Sequence, residues 1–149
     1  MSLRIYVALA LTWIAVPASA ADLPFRVLSS GKVKGQVEAG LTEARDRKAL
    51  SQTWSRLGLT SSVPKVNFRQ RMAITWVGGG SACDKYVLRH VLENEGNVSL
   101  EIDRVRPPTG HMCIMIFSPS HIVASIPLTS KTVKFNLSDG GSVSGDTTR

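Results

Sequence analysis

From Tyr86 to Asp103 the chain alternates apolar and polar residues on both sides of a single break, ENEGN. Tyr86, Leu88, His90 and Leu92 interleave with Val87, Arg89, Val91 and Glu93, and Val98, Leu100 and Ile102 interleave with Ser99, Glu101 and Asp103. Period two marks strands with one buried face, and two such strands around a short polar break form an antiparallel hairpin. Matching the apolar faces puts Leu92 opposite Val98, Leu88 opposite Ile102 and Arg89 opposite Glu101. This register leaves a three-residue loop, Asn94-Glu95-Gly96, with Gly96 supplying the left-handed conformation such loops need.

Other segments add to the sheet. LPFRVLSSG and KVKGQVEAG read as two short strands that pair with each other, punctuated by Gly31, Gly35 and Gly40. SSVPKVNF is a connector, in which Pro64 disfavours helix before it, and RMAITWV follows as a buried strand. After a second break, RPPTG, come three more strands in HMCIMIF, HIVASI and KTVKFNL. One segment departs from this pattern. DRKALSQTWSRLG has helical apolar spacing, with Asp46 as N-cap and Gly58 at its end, so Trp54 and Leu57 face the sheet while Arg47, Lys48 and Arg56 face water. The reading is an α+β fold of about seven to eight mostly antiparallel strands, sandwich- or barrel-like, with one packed helix.

The first twenty residues read as a signal peptide: Arg4, an uncharged apolar run from Ile5 to Val16, and an A-x-A site at Ala18-Ser19-Ala20. Cleavage there gives a mature start at Ala21, one globular domain over residues 21–137, and a polar, glycine-rich tail over 138–149 expected to be disordered. No later segment approaches the apolar length of a transmembrane helix. The expected location is periplasmic or secreted. The mature chain carries 17 Lys and Arg against 11 Asp and Glu. This balance favours anionic partners such as envelope polymers or lipid surfaces. No basic run is interleaved with aromatics, so nucleic acid is not expected as a partner. Asn97-Val98-Ser99 and Asn136-Leu137-Ser138 are glycosylation sequons if the host glycosylates.

Cys83 and Cys113 are an even count in a chain read as exported, which favours one disulfide over two free thiols. Cys83 sits in VGGGSACDKY, whose glycines invite three readings. A phosphate loop needs a different glycine spacing and a helix directly after it, whereas a strand pattern follows here. A nucleophilic Cys83, helped by Asp84, His90 or His111, needs a free thiol and a nearby base. The third reading is a flexible turn that carries Cys83 to Cys113, the latter inside a neighbouring strand. This reading is preferred because a bridged sulfur is not a nucleophile. His90, His111 and His121 lack metal-ligand spacing, and His90 is expected on the apolar strand face opposite Leu100. Glu101 and Asp103 share a strand face, but an Arg89 opposite Glu101 would lower its pKa, the wrong direction for an acid catalyst. No catalytic, cofactor-binding or metal-binding residue is assigned.

The order of segments resembles a known family. LPFRVLSSG, a Trp-bearing helix, VPKVNFRQRMAITWVGGG, a hairpin, and RPPTGHMCIMIFSPSHIVASIP are similar to the C-terminal domain of the PrcB protease complex subunit family. The resemblance runs from about Leu23 to Phe135, strongest in the P-x-V-[DN]-F run at Pro64 to Phe68 and the run from Ser118 to Pro127. Where family members carry Thr-Gly-Gly-Tyr, this chain has Gly79, Gly80 and SACDK before Tyr86. The family is named for a non-catalytic accessory subunit of an exported protease complex. The resemblance therefore implies a binding or scaffolding module in the envelope, partnered by another envelope or secreted protein. The alternatives are a small basic protein that binds anionic envelope polymer or lipid, and a small hydrolase using Cys83.

Overall fold

The computed structural model describes residues 20–107, 110, 112–113, 116–138 and 145–146; the segment before Ala20 that was expected to be a signal peptide, and His111, lie outside them. Seven strands of five or more residues carry the fold: β2 (Arg26–Lys32), β3 (Gly40–Ala44), β4 (Arg71–Gly78), β5 (Lys85–Glu93), β6 (Asn97–Val105), β7 (Ser120–Pro127) and β8 (Thr132–Ser138). Two-residue strands β1 (Ala21–Asp22) and β9 (Gly145–Asp146) flank them, and α1 spans Arg47–Arg56. The strands form two sheets, ordered β1-β5-β6-β8-β9 and β2-β7-β4-β3. Every pairing is antiparallel except β6 with β8. The expected α+β, mainly β, sandwich-like architecture is present.

Alternation along the central strands builds three layers. Met72, Ile74 and Trp76 of β4 and Ile122, Ala124 and Ile126 of β7 face the other sheet, meeting Leu88, Val91, Leu100 and Val133 in one core. Ala73 and Val77 of β4 and Val123 of β7 point the opposite way and meet Leu50, Trp54 and Leu57 of the helix layer. Because β4 is covered on both faces, every residue from Met72 to Val77 is buried, and the segment is mostly apolar rather than alternating. The helix is capped at both ends as its sequence predicts. Asp46 Oδ1 accepts from the Ala49 amide at 2.7 Å, and Gly58 turns left-handed at φ 71°. The Gly58 and Leu59 amides donate back to the Ser55 and Trp54 carbonyls, a Schellman closure. Trp54 is buried among this layer and its Nε1–H donates to the Ser61 carbonyl at 2.8 Å.

The structure corrects several expectations. LPFRVLSSG and KVKGQVEAG do not pair; β2 and β3 lie at opposite edges of one sheet, and residues 34–39 are irregular. The Lys34 and Gly35 amides instead bind the Leu57 carbonyl at the helix end, and a side chain at Gly35 would collide with the Arg56 carbonyl. In the hairpin, Leu88 does face Ile102, but the ladder then slips by one residue at a β-bulge. Glu93 rather than Leu92 faces Val98, and His90 rather than Arg89 faces Glu101. The slip buries Val91 completely and turns His90 outward, where its Nδ1 lies 3.0 Å from Asp22 Oδ2. Burying a valine in place of an imidazole is the physical reason strict alternation fails here. Gly96 is not left-handed: the Asn94 carboxamide oxygen caps the turn, accepting from the Gly96 and Asn97 amides at 3.1 and 2.9 Å. Of the tail expected from Ser138, that residue closes β8 and Gly145–Asp146 pair with Phe135 and Lys134; its other residues lie outside those described.

Candidate functional site around the disulfide-closed turn

VGGGSACDKY runs from the end of β4 to the start of β5. None of Gly78, Gly79 or Gly80 has positive φ, so their role is close approach rather than left-handed backbone. A Cβ at Gly78 would overlap the Trp76 indole, one at Gly79 the Phe117 ring, and one at Gly80 the Tyr86 hydroxyl. The Tyr86 hydroxyl donates to the Gly79 carbonyl at 2.7 Å. The turn is tightly packed, which corrects the expectation of a flexible one.

Polar groups then fasten it. Asp84 is buried, and its Oδ2 accepts from the Ser81 amide at 2.8 Å and from Arg104 Nη2 at 2.6 Å. Burial pushes the Asp84 pKa up, but the hydrogen bonds from Arg104 and Ser81 and the Arg104 charge outweigh it, so the carboxyl sits below its usual range. From the neighbouring sheet the Lys32 ammonium donates to the Ser81 carbonyl at 3.0 Å, the Asp84 carbonyl at 2.9 Å and Ser120 Oγ at 3.1 Å. Burial lowers the Lys32 pKa and the Asp84 charge partly restores it.

Cys83 and Cys113 are joined in a disulfide with their Cα atoms 5.9 Å apart. Cys113 is not inside a strand, contrary to expectation; of the described residues in HMCIMIF only Phe117 makes a β-bridge, to Ser81. The Ala82 amide donates to the Ile116 carbonyl and the Ser118 amide to the Gly80 carbonyl, at 3.1 and 3.0 Å. This clasp leaves Ile116 and Phe117 59% and 72% exposed. They border a shallow cleft of ≈ 500 Å³ whose other walls are Gly80, Ser81, Arg104 and Arg106.

The other residues considered for chemistry are dispersed. His90 is on the outer face of β5 with Asp22, which corrects its expected place opposite Leu100. His121 is buried in β7 with Nε2 2.9 Å from Ser29 Oγ, and burial lowers its pKa. Among the described residues no three His, Cys, Asp or Glu side chains gather as a metal site would require. Arg89, released by the bulge, pairs with Asp103 at 2.7 Å instead of Glu101. Hydrogen bonds from Ser138 and Arg89 lower the Asp103 pKa. Glu101 accepts from Ser99 Oγ at 2.7 Å and from the Asn136 carboxamide at 2.9 Å, so the second sequon asparagine is already engaged. Lys32 and Arg104, which hold the turn, belong to no motif: the turn residues they bind lie 49 or more and 20 residues away in sequence.

Among the described residues no helix is long and apolar enough to cross a membrane. Compared with protein-family models, curated proteins and solved structures, the chain matches none.

Proposed function

We propose that the protein is an exported, non-catalytic accessory module of the cell envelope that acts by binding another envelope or secreted protein, as its resemblance to the PrcB family implies. The observation that carries this reading is the exposed pair Ile116 and Phe117, held by backbone hydrogen bonds to a disulfide-closed turn. A large aromatic exposed on an anchored backbone is the kind of side chain that serves as an anchor for a partner. Arg104 and Arg106 border the same cleft, so the apolar pair sits beside a polar rim, as at protein interfaces. The same module accounts for Cys83 as a structural sulfur rather than a hydrolase nucleophile.

Photo-crosslinking from position 117 in cells that make the protein tests this reading. A discrete protein adduct that survives raised salt and is lost on Ile116→Ser supports it. The alternative, binding of anionic polymer or lipid, rests on the excess of 17 cations over 11 anions after residue 20. Attachment that disappears at moderate salt favours that alternative, because screening removes exposed charge attraction but leaves apolar contacts. No adduct at position 117, or the same adduct from position 47 on the exposed helix face, contradicts the proposal.

A further inference from the structure

A second cleft, of ≈ 330 Å³, opens at the margin of the helix layer, where Leu28 and Val66 pack against that layer's core. Its walls come from the start of β2, the start of β4, the end of β7 and the connector at residues 65–67. Phe25, Leu28 and Val66 make part of the wall apolar, and the volume is at the small end of small-molecule sites. The charge here is one-sided: Arg26, Lys65 and Arg71 line the cleft, and no Asp or Glu does. Arg26 and Lys65 are exposed, and among the described residues no hydrogen bond or ion pair engages either side chain.

Arg71 supplies an independent observation. Its Nε–H donates to Ser125 Oγ at 2.7 Å, and its Nη2 donates to the Ser125 and Pro24 carbonyls at 2.7 and 3.1 Å. Ser125 and Pro24 themselves line the cleft, so the guanidinium is fixed in its wall. All three acceptors are neutral, and the Nη1 protons have no partner among the described residues. Arg45, Arg89 and Arg104 each pair with a carboxylate, whereas among the described residues Arg71 pairs with none. Drawing a charge partly out of water without a counter-charge costs free energy, so this half-buried, immobilised cation favours an anion in the cleft.

We propose that this cleft binds an organic phosphate, its phosphate group held by Arg71 from the wall and by Arg26 and Lys65 from the rim, and its organic substituent lying against Phe25, Leu28 and Val66. Three cations exceed the single charge of a carboxylate. They suit a phosphate monoester, which carries about −1.5 to −2 at neutral pH and has three acceptor oxygens, one for each cation. Arg71 has spent its Nε and Nη2 protons on Ser125 and Pro24, so it offers Nη1 alone and cannot form the two-pronged fork by which arginine grips a carboxylate. The cleft shares no residue with the one beside Ile116 and Phe117 and does not depend on the role of that surface.

The test is an NMR titration of the intact protein with phenyl phosphate, with benzoate as the singly charged counterpart and inorganic phosphate as the anion without an organic body. The expected result is that phenyl phosphate shifts the Arg26, Leu28, Val66 and Ser125 amides and binds about tenfold more tightly than benzoate, the gain of one charge-assisted contact. Inorganic phosphate should bind more weakly than phenyl phosphate, because it leaves the apolar wall uncovered. Arg26→Gln and Lys65→Gln break no internal bond and should each weaken phenyl phosphate by about fivefold or more, while Lys48→Gln on the helix leaves it unchanged. Because Arg71 also holds Pro24 and Ser125, its guanidinium is read in the unsubstituted protein, where its 15N resonances should move on binding. Vesicles of phosphatidic acid separate two sources of the phosphate: binding lost in Arg26→Gln and kept in Lys48→Gln assigns it to a lipid headgroup, and equal binding by both variants, or none, assigns it to a soluble ester. Benzoate or inorganic phosphate binding as tightly as phenyl phosphate, unaffected Arg26→Gln and Lys65→Gln variants, a Lys48→Gln variant weakened as much as these, or no shift at the cleft residues would each overturn the proposal.

Discussion

Arg104 Nη2 reaches Asp84 Oδ2 at 2.6 Å, and the aspartate side chain is 4% exposed while the arginine is 29% exposed. The pair joins β6 to the turn that carries Cys83, and the same carboxylate oxygen caps the Ser81 amide. Asp84→Asn keeps the shape but removes the charge, leaving Arg104 partly buried beside a weaker acceptor. We expect a loss of about 3 kcal/mol, the lower end for a broken buried pair because Arg104 retains some solvent. Chemical denaturation checks this, and a second substitution, Arg104→Met, should recover part of the loss.

Stability should fall with acid in two windows. The folded-state pKa of His121 is lowered by burial, so the unfolded chain binds its proton first. Stability from this group is therefore lost as pH falls through about 6.5 toward the lower folded value. Asp84, also lowered when folded, contributes stability that is complete above the ordinary aspartate pKa of about 3.9 and is lost as pH falls below it. Urea midpoints measured from pH 8 to pH 3 should show both declines, and Asp84→Asn should flatten the lower one.

Trp54 is 3% exposed and anchors the helix on the sheet. Trp54→Ala should cost about 3 to 5 kcal/mol by emptying this layer. Trp54→Phe retains most of the volume but loses the bond to the Ser61 carbonyl, leaving that acceptor to find water, and should cost less. Melting curves of the two variants separate packing from hydrogen bonding.

The glycines of the turn should respond unequally. Gly78→Ala drives a methyl into the buried Trp76 indole and should cost about 1 to 3 kcal/mol. Gly79→Ala meets only the Phe117 ring, which is 72% exposed and free to swing outward, so its stability cost should be below about 1 kcal/mol. If Phe117 anchors a partner, Gly79→Ala should weaken binding although the fold survives.

What the sequence made legible was local. The helix, its Asp46 cap and its Gly58 stop depend on neighbouring residues and are readable in order, as are the buried β4 and β7 runs. The disulfide follows from an even cysteine count. The bulge at Arg89 was not legible, because it reflects a global preference for burying Val91 over His90 that period-two counting cannot weigh. Nor was the pairing of β2 with β7, whose partners lie about a hundred residues apart in a chain with several strands of similar composition. The candidate site was legible only at Cys83 and Cys113. Lys32, Arg104 and the exposed Ile116 and Phe117 come together through long-range pairing of segments with no motif of their own.

Thiol counting on protein recovered without reductant decides whether VGGGSACDKY is a turn closed by Cys83 and Cys113 or a nucleophile loop. The bridge spans 30 residues, for which the chain-entropy model gives about 3 to 4 kcal/mol of stabilisation, so reduction should also lower the melting temperature. A closed turn gives no alkylation in either the native or the denatured unreduced protein, and two alkylated cysteines after reduction. Rapid alkylation of Cys83 in the native unreduced protein would contradict it, because an accessible thiolate at that position would restore the nucleophile reading.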